Sequence, residues 1–296
     1  MPILFTAGDA LAAGLTRDQI RHRLRAGSWQ ALGRGTYRRA NWMPSDIDDQ
    51  YSVERIDHTH RSVAAALRNP ECIVGFESAA VVHYLPLFSP IPSRVTLIAP
   101  PGHWYGPRGQ LLLRRSALAA SDVEQRRVPI TTPARTWFDV ARTRSLADAL
   151  TAGDWGLRTH SVSLDQLRSA VHQAGSVRGC RRAAQALALL DAARETPLES
   201  GSWAYFVQHS IPLPSLQLEL RDRSDAFIGR VDFCWESVGV VGECDGRVKY
   251  ESRERLYQEK RREDRLRDMG WQVVRWGWAD LWGPSLAARL RRVGVG

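Results

Sequence analysis

The sequence predicts a multidomain protein of the α+β class, and three observations lead to that prediction. At 296 residues the chain is long enough for two or three domains, each with its own core. Stretches with the apolar period of helices are mixed along the chain with short runs of β-branched and aromatic residues. Hydrophobic residues make up 44% of the chain and charged residues 25%, as in globular proteins, and eleven tryptophans argue against global disorder.

The same patterns divide the chain into four parts. We expect a winged helix-turn-helix domain at residues 1–42, a central α+β body at 43–158, a helical bridge at 159–195 and a carboxyl-terminal domain at 196–296. Gly175 and Gly179 are the breaks within the predicted bridge.

Residues 6–39 have the pattern of a helix-turn-helix followed by a wing. Thr6 and Thr16 each stand three residues before a side chain that can complete a capping box, so each predicts a helix start. Gly14 and Gly27 predict the ends of these two helices. A Gly-Arg-Gly stretch then separates two short strand-like segments, which predicts a two-stranded wing.

Arginine recurs along one face of the second predicted helix and at the wing tip. The candidate DNA-binding residues are Arg17, Arg21, Arg25 and Arg34. Residues 1–40 carry seven arginines against two aspartates, a balance of +5 out of the chain's +9. Clustered arginines position a helix on phosphates and read guanine edges in the major groove, so we expect double-stranded DNA as a partner. The alternative is an amphipathic helix pair whose arginines form a solvated face.

The middle of the chain is predicted to combine helices and strands without a catalytic constellation. We expect helices at 46–67, from 76 onward, and at 132–141, 146–155, 164–174 and 178–194, with strands at 94–99 and 110–114. Ser78 and His83 do not have the spacing of a hydrolase pair. His58 and His60, two residues apart on a helix, are expected to be solvated.

Carboxylates cluster in a hairpin predicted near the carboxyl end. Two strand-like runs, 227–235 and 238–244, follow each other with room only for a turn between them. Side chains alternate along a strand, so Glu243 and Asp245 share a face, and Asp232 lies within a residue or two of Glu243. Carboxylate oxygens suit Mg²⁺ or Mn²⁺, and such an ion activates water against a phosphodiester. The alternative is a set of solvated acids at strand ends.

The last third of the chain contains a series of short motifs around these acids. They are Pro197 to Ser200, Pro214 to Gln217, Gly229 to Phe233, Glu243 to Gly246, Lys249 and Tyr250, Glu259 to Asp264, and Gly270 to Trp276. In their order and spacing this region resembles the PD-(D/E)xK nuclease superfamily, in particular its very-short-patch-repair-like (Vsr-like) branch. The resemblance implies a restriction-endonuclease-like α/β domain.

The resemblance also implies roles for single residues. Asp232 and Glu243 would be the metal ligands, and Glu199 an additional acid on the opening helix. The superfamily places a lysine two residues after the second acid, where this chain has Asp245, a departure that the Vsr-like branch often shares. Asp245 would then complete or orient the water shell of the ion. Either of two lysines, Lys249 or Lys260, could supply the missing positive charge.

The amino-terminal segment resembles the winged-helix domain of AbiE-type antitoxins, the repressors of type IV toxin-antitoxin systems. The resemblance rests on Gly14 to Arg17, Gly27 to Trp29 and Arg34 to Tyr37, and it continues into the middle of the chain. It implies that the four arginines meet DNA and that a cognate toxin is a partner.

Together these patterns predict a DNA-binding protein with a metal-dependent endonuclease end. The alternative is a repressor or antitoxin whose nuclease-like end has no activity. The formal charge of +9 and pI near 9.9 favour nucleic acid over an anionic membrane as a partner. No apolar run of membrane-spanning length and no signal-peptide pattern is present, so we expect a cytoplasmic protein, with a homodimer among its assemblies. The four scattered cysteines indicate neither zinc nor disulfides.

Overall fold

The computed structural model of the protein describes residues 2–43, 47, 49–245 and 253–296. The chain divides into two compact units, which we call unit 1 (Met1–Thr143 and Val162–Ala183) and unit 2 (Arg144–Ser161 and Ala184–Gly296). Both contain helices and strands, which confirms the mixed α+β class and an organisation in more than one unit. The four predicted domain ranges stay predictions.

Unit 1 begins with a small antiparallel sheet that carries two helices. Its elements are β1 (Leu4–Thr6), α1 (Ala7–Ala12), α2 (Arg17–Arg25), β2 (Trp29–Gly33) and β3 (Thr36–Arg39), with strand order β1-β3-β2. Both predicted capping boxes form, since the side chains of Thr6 and Thr16 each accept from a backbone N–H three residues on. Phe5, Ala10 and Ile20 make the small core that joins helices and sheet.

The remainder of unit 1 is built on a second sheet. Its elements are α3 (Gln50–Arg68), β4 (Ile73–Val74), α4 (Phe76–Val82), β5 (Val95–Ile98), β6 (Gly106–Arg108), β7 (Leu111–Arg114), β8 (Val123–Gln125), β9 (Pro129–Thr131), α5 (Pro133–Thr143) and α7 (Leu164–Gln173). The strand order is β6-β7-β5-β4-β9-β8. Val74, Leu97 and Ile130 lie in its core beneath α3 and α4.

The prediction that His58 and His60 are solvated is wrong. His58 is fully buried where α3 packs on α4, and its Nε2 lies 2.8 Å from Ser78 Oγ. Ser78 Oγ also accepts from the Thr96 N–H at 2.8 Å, so this hydroxyl joins α3, α4 and β5. Burial lowers the pKa of His58 to about 4, which keeps the ring neutral. His60 is half-buried against the edge of Trp42.

Unit 2 is a four-stranded sheet with helices on both faces. Its elements are α6 (Leu146–Arg158), α9 (Pro197–Gln208), β10 (Ser215–Arg221), β11 (Phe227–Trp235), β12 (Val240–Cys244), α10 (Arg253–Asp268), β13 (Gln272–Trp276) and α11 (Ser285–Arg292), while α8 (Cys180–Leu187) runs from unit 1 into unit 2. The strand order is β10-β11-β12-β13, antiparallel except for the parallel pair β12 and β13.

The two faces of this sheet have separate cores. Phe206 of α9 packs with Phe233 and Trp276 on one face. On the other face Val241 packs with Leu266 of α10. Adjacent residues supply opposite cores, since Phe233 and Val240 belong to the first and their neighbours Cys234 and Val241 to the second.

The hairpin between β11 and β12 differs in detail from the two-residue turn expected at residues 236–237. A 3-10 turn, Glu236–Val238, leads into Gly239, whose φ of 64° is in the left-handed region that glycine tolerates. The second strand therefore starts at Val240 rather than at Val238. None of the helices in the described part of the chain has both the length and the apolar character that crossing a membrane requires.

Candidate functional site

The two acids predicted to share an ion lie side by side at the end of the β11 and β12 ladder. Phe233 pairs with Gly242, and the same register continued by one residue sets Asp232 opposite Glu243. Asp232 Oδ2 accepts from the Cys244 N–H at 2.9 Å, so this side chain takes over a bond at the end of the ladder. Their proximity follows the predicted hairpin, while their role as metal ligands stays a prediction.

Glu199 is placed near this pair by the first turn of α9. Glu199 is buried, with 4% of the residue exposed, and its carboxylate accepts three hydrogen bonds. The donors are the Glu195 N–H at 2.8 Å, Thr196 Oγ1 at 2.8 Å and Gln217 Nε2 at 2.9 Å. Thr196 is the N-cap of α9, and its hydroxyl bonds both the N–H and the carboxylate of Glu199. Glu199, the additional acid of the nuclease resemblance, therefore also takes part in the helix cap.

The environment of Asp232 disfavours its charged form. Burial raises the pKa of Asp232 to about 6, and the N–H of Cys244 opposes that shift by stabilising the carboxylate. The negative charges of Glu199 and Glu243 raise the pKa further, and the positive charge of Arg262 lowers it. Three acids therefore influence one another electrostatically in this region, which we call the acid cluster (Glu199, Asp232 and Glu243).

Two arginines hold Glu243, and the sequence reasoning missed both. Arg262 of α10 forms an ion pair with Glu243 Oε1 at 2.8 Å, and Arg275 Nε donates to Glu243 Oε2 at 2.9 Å. Arg275 faces Glu243 directly in the parallel register of β12 and β13. The strand register is a tertiary contact, so no local pattern could have found these partners.

A glycine of the quoted motif makes room for one of these arginines. A Cβ at Gly229 would lie 2.3 Å from Arg262 Nε. The guanidinium crosses β11 at this point and donates to the Arg230 carbonyl at 2.8 Å before it reaches Glu243. In the Gly-Arg-Val-Asp sequence the glycine therefore leaves room for Arg262, and the aspartate is a member of the acid cluster.

Gln217 is the other site residue that the spacing argument did not single out. The β10 and β11 register pairs Leu216 with Phe233 and Leu218 with Val231, which leaves Gln217 at the level of Asp232. Its φ is 52°, unusual for a residue other than glycine, and it turns the amide toward Glu199. Such backbone conformations persist where surrounding contacts hold them.

The remaining predicted residues do not join the cluster. Asp245 is exposed beyond the end of β12, where its N–H donates to the Trp276 carbonyl. Lys260 is exposed on α10 and stands two residues before Arg262, which puts it on a different face of the helix from the arginine that reaches Glu243. Lys249 lies outside the described residues.

The acid cluster in this arrangement does not fit a divalent metal ion. Both oxygens of Glu199 already accept hydrogen bonds, and both oxygens of Glu243 are paired with arginines. Within the described ranges, no three His, Cys, Asp or Glu side chains are grouped as metal ligands. The guanidinium groups of Arg262 and Arg275 supply the positive charge that offsets Glu243, which is the charge that a metal ion would otherwise supply.

The predicted DNA-binding arginines lie on an exposed face of unit 1. Ile20 of α2 is buried in the core with Phe5 and Ala10, and Arg17, Arg21 and Arg25 of the same helix are exposed. Arg21 forms an ion pair with Asp18. Arg34 is exposed at the tip of the β2 and β3 hairpin. Four guanidiniums are therefore accessible to a ligand outside the protein.

Comparison with known families finds a match for one region of the chain. Residues 75–192 match the family model described as the AbiEi antitoxin C-terminal domain. The matched range begins next to α4 and covers the middle of the chain. The match supports the predicted resemblance to antitoxins. It includes neither residues 1–42 nor residues 196–296.

The individual proteins that resemble this chain share a low sequence identity with it. The chain is 28% identical over 144 residues to uncharacterized proteins from two strains of Mycobacterium tuberculosis, a match that covers 49% of this chain and 53% of each relative. The chain thus spans about half the length of these curated relatives. The crystal structure of the RV2827C protein from Mycobacterium tuberculosis aligns over 69% of this chain and 76% of that chain, with 21% identity and a TM-score of 0.38.

Proposed function

We propose that this protein is the antitoxin of a type IV toxin-antitoxin system and represses transcription by binding double-stranded DNA in the cytoplasm. The observation that carries the proposal is the match of residues 75–192 to the AbiEi antitoxin C-terminal domain. A cognate toxin is then the expected protein partner. DNA binding would fall to the winged helix-turn-helix at the amino end.

The surface of α2 supports the DNA-binding part of the proposal. Arg17, Arg21 and Arg25 recur every four residues, so their Cα atoms rise by about 6 Å per step along the helix. A row of this kind can follow a groove wall, and the wing would place Arg34 on an adjacent stretch of backbone. The binding free energy would come largely from phosphate contacts and counterion release.

The first experiment measures binding of the full-length protein to the DNA upstream of its own operon by fluorescence anisotropy, at several salt concentrations and without metal. We expect tight binding that weakens with salt. Arg17→Gln and Arg25→Gln should each reduce the slope of log K against log salt by about 0.9 per lost phosphate contact. Arg108→Gln is the matched control, since Arg108 is exposed at the edge of the other sheet of unit 1.

The comparison of these variants distinguishes DNA recognition by α2 from attraction of DNA by the net positive charge of the protein. Equal losses in the two α2 variants and in the Arg108→Gln control would mean that the net charge, not this helix, attracts DNA. Absence of binding to the upstream DNA would remove the repressor part of the proposal. Co-expression with a type IV toxin tests the antitoxin part separately, by growth.

A second candidate function is a metal-dependent DNA endonuclease in unit 2. The observation that favours it is the side-by-side placement of Asp232 and Glu243, with Glu199 close enough to raise the pKa of Asp232. Such an activity would need Mg²⁺ or Mn²⁺ and would require the arginines to release Glu243. Supercoiled, linear and mismatched DNA incubated with magnesium, manganese or EDTA tests it.

Two isosteric variants make that test specific. Asp232→Asn and Glu243→Gln should abolish metal-dependent cutting while metal-free DNA binding is retained. Cutting that survives in both variants would point to a contaminating nuclease. If no substrate is cut under any condition, unit 2 has no hydrolytic role and the antitoxin proposal stands alone.

A further inference from the structure

Unit 1 contains a cleft whose lining residues lie far along the chain from α2, the predicted DNA-binding helix. Its volume is about 520 Å³, and it lies between the segment 115–119, helix α5 and the carboxyl-terminal end of α7 with the residues that follow. Every lining residue belongs to unit 1. A volume of this order accommodates a small metabolite of nucleotide size.

Two arginines on α5 are held rigidly at the wall of the cleft. Asp139 is fully buried, and its two oxygens accept from Arg135 Nε at 3.0 Å and from Arg142 Nε at 2.7 Å. The spacing explains the arrangement, because side chains four residues before and three residues after Asp139 share its face of the helix. The guanidinium groups are 11% and 10% exposed.

One hydroxyl brings the two guanidiniums together. Ser116 Oγ accepts from Arg135 Nη2 at 2.7 Å and from Arg142 Nη2 at 3.2 Å. No acceptor for the Ser116 hydroxyl proton lies among the residues that the structure describes. That proton is therefore available to an acceptor that comes from outside the protein.

The charge at the cleft is positive. Arg115, Arg135 and Arg142 line it together with one carboxylate, Asp122. Asp139 is buried and pairs with Arg135 and Arg142, so these five groups together leave one positive charge in excess. Arg135 pairs with Asp122 at 2.7 Å, and Arg115 is exposed at the rim. Arg142 pairs with Asp139, so the excess charge is associated with Arg115.

We propose that this cleft binds a phosphate-bearing small molecule, with the phosphate group between Ser116 and Arg115. Ser116, Arg115 and Arg142 all line the cleft, so its wall carries a hydroxyl and two guanidinium groups as donors. An acceptor group with three terminal oxygens uses such a set better than a planar carboxylate does. Leu118, Ala170 and Val177 line the cleft and supply apolar contact for the body of the ligand.

This inference goes beyond the proposed function, since it assigns a small-molecule site to the region that matches the antitoxin domain. It does not depend on DNA binding. The competing explanation is that the arginines only tether the segment 115–119 to α5. A purely structural network would leave the Arg115 side chain without effect on any ligand.

The test is isothermal titration calorimetry of the full-length protein with three probes: inorganic phosphate, pyrophosphate and ATP. We expect saturable binding of at least one probe with one site per chain. Arg115→Gln removes a rim charge without touching the buried network, and it should weaken binding tenfold or more, as expected for a lost charge-assisted hydrogen bond. Arg108→Gln removes the same charge elsewhere on unit 1 and should leave binding unchanged.

A second variant covers the buried side of the cleft. Ser116→Ala removes the available hydroxyl proton and should also weaken binding, with the thermal unfolding midpoint recorded to verify that the variant is folded. Binding of ATP and pyrophosphate but not of phosphate would support a site for a diphosphate or larger group. Absence of saturable binding of all three probes, or equal losses in Arg115→Gln and Arg108→Gln, would overturn the proposal.

Discussion

A buried ion pair in unit 2 allows one prediction about stability to be worked out in detail. Arg194 and Asp154 have side chains that are 0% and 1% exposed. Arg194 Nε and Nη2 donate to the two Asp154 oxygens at 2.6 and 2.8 Å. Arg194 also stacks on Trp203, with the guanidinium carbon 4.8 Å from the ring centroid. We predict that Arg194→Met strongly destabilises unit 2.

The magnitude follows from what the substitution leaves behind. Removal of one partner of a buried ion pair costs about 3–5 kcal/mol, because the remaining charge is desolvated without compensation. Asp154 would keep the Ser200 hydroxyl at 2.7 Å and the Asp191 N–H at 2.9 Å, which favours the lower end of that range. A loss of about 3 kcal/mol is a large part of the total stability of a domain.

The assay is urea unfolding followed by tryptophan fluorescence and far-ultraviolet circular dichroism at pH 7. Burial raises the pKa of Asp154, and Arg194 is the main group that opposes this. In Arg194→Met the lone carboxyl group should therefore take up a proton more readily. The deficit in unfolding free energy should accordingly shrink as the pH falls from about 7 toward 5.

Two comparisons decide whether the reasoning is correct. Arg221→Met breaks an exposed pair with Asp225 and should cost less than about 1 kcal/mol. The double variant Asp154→Leu with Arg194→Met removes both charges, and it should be much less destabilised than the sum of the single variants. A loss below about 1 kcal/mol in Arg194→Met would refute the argument that desolvation dominates at this site.

Three further predictions concern the acid cluster and the buried histidine. Asp232 has a pKa raised to about 6, so its contribution to stability is fully present below the unfolded value near 4 and is lost as the pH rises through 6. Asp232→Asn should therefore raise the unfolding free energy at pH 7 and flatten its dependence on pH between 4 and 7, measured by urea unfolding. Gly229→Ala should displace Arg262 from Glu243 and lower the thermal midpoint, since the added carbon would lie 2.3 Å from Arg262 Nε. Ser78→Ala should cost about 1–3 kcal/mol, because it removes the group that contacts both Nε2 of buried His58 and the Thr96 N–H.

Each of these predictions has a control within the chain. An unchanged pH profile in Asp232→Asn would show that this carboxyl group titrates normally. Gly283→Ala has no heavy atom near the added carbon and should be neutral, in contrast to Gly229→Ala. Ser161→Ala removes the hydroxyl of an exposed residue that follows α6 and should cost less than Ser78→Ala. Equal losses in the two serine variants would argue against a special role of the buried pair.

The sequence by itself determined those features whose causes are local. Thr6 and Thr16 start helices because each side chain accepts from a backbone N–H only three residues further along the chain. Such a bond needs no contact from a distant segment. The β11 strand was predicted at 227–235 and has the same bounds, because alternating apolar residues and a following turn specify it locally. The neighbouring positions of Asp232 and Glu243 followed from the same hairpin.

Only the tertiary structure decided what surrounds these residues. Arg262 and Arg275 reach Glu243 through packing of α10 and the register of β13, so the positive charge at the acid cluster comes from arginines rather than from Lys260. His58 was expected in solvent and is buried, because the face that α3 presents to α4 depends on how the helices pack. The Ser116 hydroxyl meets two guanidiniums of α5 for the same reason. Hydrogen-bond caps and strand periods act over a few residues, whereas burial and ion pairing depend on contacts between segments far apart in the chain.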